Sequence, residues 1–129
     1  MNIEDIKTNI AKIAEKYGLD FVVLFGSQAT GRTHPKSDVD IGVISHSKFD
    51  ILPLMTDMDK ILGRDDVTVV DLSRASPTLM RAIVAEGKLL YEREEAMFLK
   101  WKYYAIRVWM DTDWLRALGR KRLIEWAKK

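Results

Sequence analysis

FVVLFGSQATGRTHPKSDVDIGVI, residues 21–44, is the stretch that decides how this chain folds. Phe21–Phe25 is a short β-branched and aromatic run with no polar alternation, the pattern of a buried strand. Gly26-Ser27 breaks it. Residues 27–31 are expected to make a helical turn, and residues 33–37 are loop, because Pro35 forbids a continuing helix. Val39–Ser45 reads as a second strand. Asp38 and Asp40 stand at its start, spaced i and i+2.

Outward from this stretch the elements alternate. On the N-terminal side Ile3, Ile6, Ile10, Ile13, Ala14 and Tyr17 recur at helical spacing, and Gly18 is placed to cap the helix. On the C-terminal side Phe49–Leu62 reads as an amphipathic helix ended by Gly63, and residues 67–72 as a third strand. Pro77 opens a helix through Ala85, and residues 88–92 make a short edge strand. Helices over residues 94–110 and 112–129 follow, broken around Asp111-Thr112-Asp113. The expected class is α/β (α+β), a small mixed sheet covered on one side by helices.

Composition narrows the field. The chain has 129 residues, 47% of them hydrophobic, which suits one globular domain. It has no cysteine, hence no disulfide framework and no thiolate ligand or nucleophile. The first ten residues carry acids where a signal peptide needs positive charge. No apolar run approaches the ~20 residues of a membrane span. The expectation is a soluble cytoplasmic protein. Net charge is +2, too small to indicate nucleic acid. Its distribution is uneven: residues 94–129 hold nine Lys/Arg against five Asp/Glu. Such a basic segment fits a solvated helical surface or a partner-facing one. It is also aromatic, with Phe98, Trp101, Tyr103, Tyr104, Trp109, Trp114 and Trp126. Most of these are expected in the core, and the remainder at a protein interface.

The chemistry concentrates in residues 26–40. Alternate strand residues face the same way, so Asp38 and Asp40 project together. Two such charges about 4 Å apart repel by about 4 kcal/mol at an effective dielectric near 20. Protonation, solvent or a cation between them relieves that. Mg²⁺ is typically held by one or two carboxylates plus substrate phosphates. Asp71, at the end of the third strand, is the candidate for a third acid beside them. Gly26-Ser27 supplies an anion cradle: a backbone free to approach phosphate, N–H groups and a hydroxyl. Taken alone, a D-x-D is also compatible with a solvated turn, and a Gly-Ser with an ordinary one.

Two look-alikes fail in context. Residues 26–33, GSQATGRT, fit a P-loop except that Arg32 replaces its lysine, but His34-Pro35 leaves no helix to follow. A phosphatase-type D-x-D follows a buried strand, whereas this one precedes it. His34 and His46 are read as surface residues.

Gly-Ser, ten residues, then D-x-D and an apolar strand resembles the signature of the nucleotidyltransferase superfamily related to DNA polymerase β. Gly26, Ser27, Asp38 and Asp40 match it, and Ser37 fits its S-D-x-D form. The resemblance covers residues 1–92 and implies a catalytic core there, with residues 93–129 a helical extension of the same single domain. Small size further resembles the minimal nucleotidyltransferases that act as antitoxins beside HEPN-type toxins. The resemblance implies two Mg²⁺ ions held by Asp38 and Asp40 around an ATP triphosphate. Asp71 would complete the metal nearer the acceptor. Gly26 and Ser27 would bind the β/γ phosphates. Arg32 and Lys36 fit a role in neutralising the triphosphate, or plain solvation. AMP would pass to a hydroxyl of a partner, a tyrosine of a HEPN-type toxin, with the C-terminal helices helping to dock it. The alternatives are an antitoxin that acts by binding alone, and a transferase for a small molecule or an RNA end.

Overall fold

A computed structural model describes residues 3–26 and 39–128. In chain order it holds α1 (Ile3–Tyr17), β1 (Leu19–Phe25), β2 (Val39–Ser45), α2 (Ile51–Leu62) and β3 (Val67–Asp71). A 3-10 turn (Leu72–Arg74), α3 (Pro77–Glu86), β4 (Lys88–Glu92), α4 (Met97–Asp111) and α5 (Asp113–Ala127) follow. The helical turn and loop expected over residues 27–37 lie outside the described residues.

The helix ends are set by local chemistry. Gly18 and Gly63 adopt left-handed φ of 68° and 64°, closing α1 and α2. Asp50 accepts from the Leu52 N–H at the start of α2, so that helix begins two residues later than the apolar pattern suggests. Ser76 accepts from the Leu79 N–H ahead of Pro77. The α4 helix has no cap of its own. The Glu92 carboxylate does that work from the end of β4, accepting from the N–H groups of Ala96 and Phe98 at 3.2 Å each. The helix therefore starts at Met97 rather than near Glu94.

The sheet order is β3-β2-β1-β4. β1 pairs antiparallel with β2 and β4, while β2 and β3 run parallel. Side-chain alternation sorts the strands onto two cores. Val22, Val39, Ile41, Val43, Val67 and Val69 face α1 and α2, where Ile10, Leu54 and Met58 are buried. Phe21, Val23 and Phe25 face the other way, against Leu72, Met80, Ile83, Phe98 and Trp101. Helices thus cover both faces, not one. The cause was legible in β1: a run without alternation needs cover on each side.

The aromatic content of the C-terminal helices also departs from expectation. Phe98 and Trp101 enter the core, their ring centroids 5.3 and 5.8 Å from Phe21. Tyr103, Tyr104 and Trp126 are exposed, Trp126 to 74%. Trp109 is half-buried beneath Arg116, whose guanidinium carbon lies 3.3 Å from the ring centroid. Met110, Leu123 and Ile124 extend the apolar surface. No helix among the described residues is long and apolar enough to cross a membrane.

Two polar ties complete the frame. The Tyr17 hydroxyl donates to Asp57 at 2.6 Å and Lys16 pairs with the same carboxylate, clamping α1 to α2. The Tyr17 bond first, then Lys16, holds Asp57 below the usual carboxylate range. At the far end of β1, Asp20 receives Arg93 and lies 2.7 Å from His46 Nδ1. His46 is exposed, as expected.

Candidate active site

β1 delivers the chain to Gly26, which turns at φ +80°. Only glycine takes that conformation without strain. A Cβ at position 26 would lie 2.6 Å from Oδ2 of Asp40. The backbone turn and the carboxylate are therefore in direct apposition, and the missing side chain is what leaves room.

The partner strands place that carboxylate. Asp40 is the second residue of β2, paired with Phe25 on one side and Thr68 on the other. Alternation sends its side chain to the α3/α4 face, together with positions 42 and 44. Over Gly42 the Leu72 methyls sit 3.0 Å from where a Cβ would stand. Leu72 thus closes the core at Gly42, and Asp40, one position further out on that face, is half-buried at its margin. A carboxylate oxygen beside a backbone with no side chain suits a hard divalent ion that brings a phosphate with it. Asp40 and Gly26 both make further interactions within the fold.

Asp71 does not join them. The parallel register sets it level with Val43, three residues beyond the level of Asp40 and Thr68. At ~3.3 Å per residue that is about 10 Å along the strand. An odd offset also turns it to the α1/α2 face. There its Oδ1 accepts from the Ser73 N–H at 3.0 Å and the Ser73 hydroxyl at 2.7 Å, capping the 3-10 turn. It lines a groove with Lys48, Phe49 and Arg74 at the opposite end of the sheet. The acid expected at the end of β3 is thus not brought beside Asp40; its carboxylate caps the turn that follows the strand.

Ser27, Arg32, Lys36, Ser37 and Asp38 lie outside the described residues. Among the described residues no group of three or more His, Cys, Asp or Glu side chains could hold a metal ion. Opposite Asp40 on β3 stands Thr68, an exposed hydroxyl residue inside a mostly apolar run.

With this geometry in place, comparison with known proteins is informative. The family described as polymerase beta, nucleotidyltransferase matches residues 8–96. The protein adenylyltransferase MntA of Shewanella oneidensis is 32% identical over 95 residues, 72% of this chain and 64% of that one. This chain therefore spans less than two thirds of that relative's length. A crystal structure of a toxin–antitoxin with AMP-PNP aligns at TM-score 0.75 and 26% identity, over 92% of this chain and 98% of that one. A complex of the tri-AMPylated Shewanella oneidensis HEPN toxin with its MNT antitoxin aligns at TM-score 0.72 over 95% of this chain and 99% of that one. At 22% identity it shares the fold.

Proposed function

The chain belongs to the polymerase beta nucleotidyltransferase family, and we propose that it transfers AMP from ATP to a hydroxyl of a partner protein, a tyrosine of a HEPN-type toxin, and so acts as an antitoxin. The observation that carries the chemistry is the apposition of Gly26, at φ +80°, to the Asp40 carboxylate. The resemblance to a protein adenylyltransferase and to a toxin–antitoxin structure with a bound ATP analogue supports the donor and the partner.

In this reading residues 1–92 form the catalytic core. Gly26 and Ser27 offer the triphosphate a close backbone and a hydroxyl, and Arg32 and Lys36 add positive charge. Ser37 precedes the D-x-D. Asp38 and Asp40 would hold Mg²⁺, which when bound neutralises the triphosphate and polarises the α-phosphate. The chain's task is to fix the α-phosphorus in line with the incoming hydroxyl. A new P–O bond forms to that oxygen, the α–β bridging bond breaks, pyrophosphate leaves, and the hydroxyl proton passes to solvent or to a base on the partner. Residues 93–129 serve as the partner-facing extension, through the exposed Tyr103, Tyr104, Met110, Leu123 and Trp126 on α4 and α5.

That same exposed surface also suits an antitoxin that neutralises by covering its partner. The two readings separate in one experiment. The co-expressed pair is incubated with Mg²⁺ and α-labelled ATP, and the partner is weighed by mass spectrometry. Added AMP that disappears in Asp40→Asn, while the complex persists, supports transfer. An unlabelled partner that is nevertheless bound and neutralised refutes it in favour of binding alone.

A further inference from the structure

Asp40 and Thr68 stand opposite each other across the parallel β2–β3 register. Residues so paired point to the same face of a sheet, on strands about 4.8 Å apart. Thr68 therefore projects beside Asp40 on the α3/α4 face, and it is exposed. β3 is an edge strand, so nothing in the sheet screens Thr68 on its outer side. Asp71 faces the other way and its carboxylate oxygen is engaged by Ser73.

We propose that Thr68 is the third side chain of the nucleotide site, so that this chain offers a divalent ion two aspartates and a neutral hydroxyl rather than three acids. The inference rests on the nucleotidyltransferase reading above and changes what that reading implies for the ions. The two acids of the D-x-D carry together the charge of one divalent ion. A threonine hydroxyl adds no charge and is a weaker ligand than a carboxylate for a hard cation. Its oxygen already carries a proton, so it cannot serve as the base for the acceptor hydroxyl. The position nearest the acceptor is thus under-coordinated. One divalent ion binds firmly with the nucleotide, and a second binds weakly. A base for the acceptor hydroxyl has to come from solvent or from the partner across the open edge of β3.

The test is direct titration of Mn²⁺, followed by the paramagnetic resonance of the free ion, with a non-hydrolysable ATP analogue present. Wild type, Thr68→Asp and Asp71→Asn are compared, each first shown to melt cooperatively. Asn keeps a capping oxygen, so Asp71→Asn preserves the turn after β3. Wild type is expected to bind one Mn²⁺ firmly per chain. Thr68→Asp should acquire a second firm ion, or tighten the weak one by at least about tenfold. Asp71→Asn should match wild type. The inference is overturned if Asp71→Asn loses an ion, or if wild type already binds two firmly and Thr68→Asp adds nothing. Should Thr68→Asp fail to fold, Thr68→Glu and the Asp71→Asn arm decide alone. If wild type binds neither analogue nor Mn²⁺, the nucleotidyltransferase reading itself fails, a result distinct from either of these.

Discussion

Replacing Gly26 with alanine tests the link between backbone and carboxylate, and Gly63 provides the control. Both glycines hold left-handed φ, +80° and +64°. Each alanine incurs the same backbone penalty, about 1–2 kcal/mol. At this chain length 1 kcal/mol corresponds to roughly 4 °C in Tm, so both variants should melt about 4–8 °C lower. Their surroundings differ. Nothing lies within 4 Å of a Cβ at position 63, whereas at position 26 the Cβ meets Asp40 Oδ2 at 2.6 Å. That oxygen ends a side chain able to turn, so the fold loses little more at Gly26 than at Gly63. What is lost is the place of the carboxylate. With Mg²⁺ and ATP at 100 times Kd, bound ligand adds about 2.7 kcal/mol to stability. A hundredfold weaker site at the same concentration leaves about 0.4 kcal/mol. Scanning fluorimetry with and without Mg²⁺–ATP should therefore show Gly63→Ala keeping the full ligand-induced shift and Gly26→Ala losing most of it. Retention of the full shift by Gly26→Ala would refute the assignment of this turn as the nucleotide cradle.

Three further outcomes concern the polar clamp and the C-terminal helices. The Tyr17–Asp57–Lys16 clamp holds Asp57 below its ordinary 3.8 and pushes Tyr17 and Lys16 above 10.0 and 10.5, mainly through their hydrogen bonds to Asp57. A depressed acid contributes stability that is full above its unfolded pKa and lost as pH falls through the folded one; raised groups lose theirs as pH climbs past 10. In urea titrations Asp57→Asn should be less stable than wild type at pH 7, and the gap should narrow below pH 3.8. In the C-terminal helices, Trp101→Ala should cost about 3–5 kcal/mol, since its ring packs on Phe21 and Phe98. Trp126→Ala should stay within about 0.5 kcal/mol, because its side chain is exposed, yet weaken partner binding in a pull-down or calorimetric titration.

Much of this architecture is written in local pattern. Several elements answer to an apolar run with local stops, as α1 does before Gly18, α2 between Asp50 and Gly63, and α3 between Ser76 and Gly87, and Val39–Ser45 coincides with its expected limits. The candidate site was legible where its parts lie on consecutive strands, as Gly26 after β1 and Asp40 in β2 do. It was not legible where it depends on strand register. An acid ending an apolar strand is equally consistent with a ligand and with a cap. Only the pairing of Val43 with Asp71 and Asp40 with Thr68 separates the two. A slip of one residue in that register would exchange the faces. The aromatic helices misled for a different reason. Phe98, Trp101 and Ala105 form a narrow buried stripe, and residues just beside it on α4 point outward.

The α5 helix has a consequence for how the chain opens. Among its described side chains every one but Arg116 is exposed, and Arg116 is fastened to the Trp109 carbonyl at 2.6 Å and to Thr112. Gly119 sits in its middle with nothing near it. A helix of 15 residues whose described side chains are nearly all exposed is marginal in water, and a central glycine lowers it by about 1 kcal/mol more. Its amides should exchange with deuterium through local openings of near-zero free energy, while those of β1 and β2 wait for global unfolding. A partner seated on Leu123, Ile124 and Trp126 would turn α5 into a slow-exchanging segment. The protection of this one helix would then report occupancy of the complex, independently of any chemistry at Gly26 and Asp40.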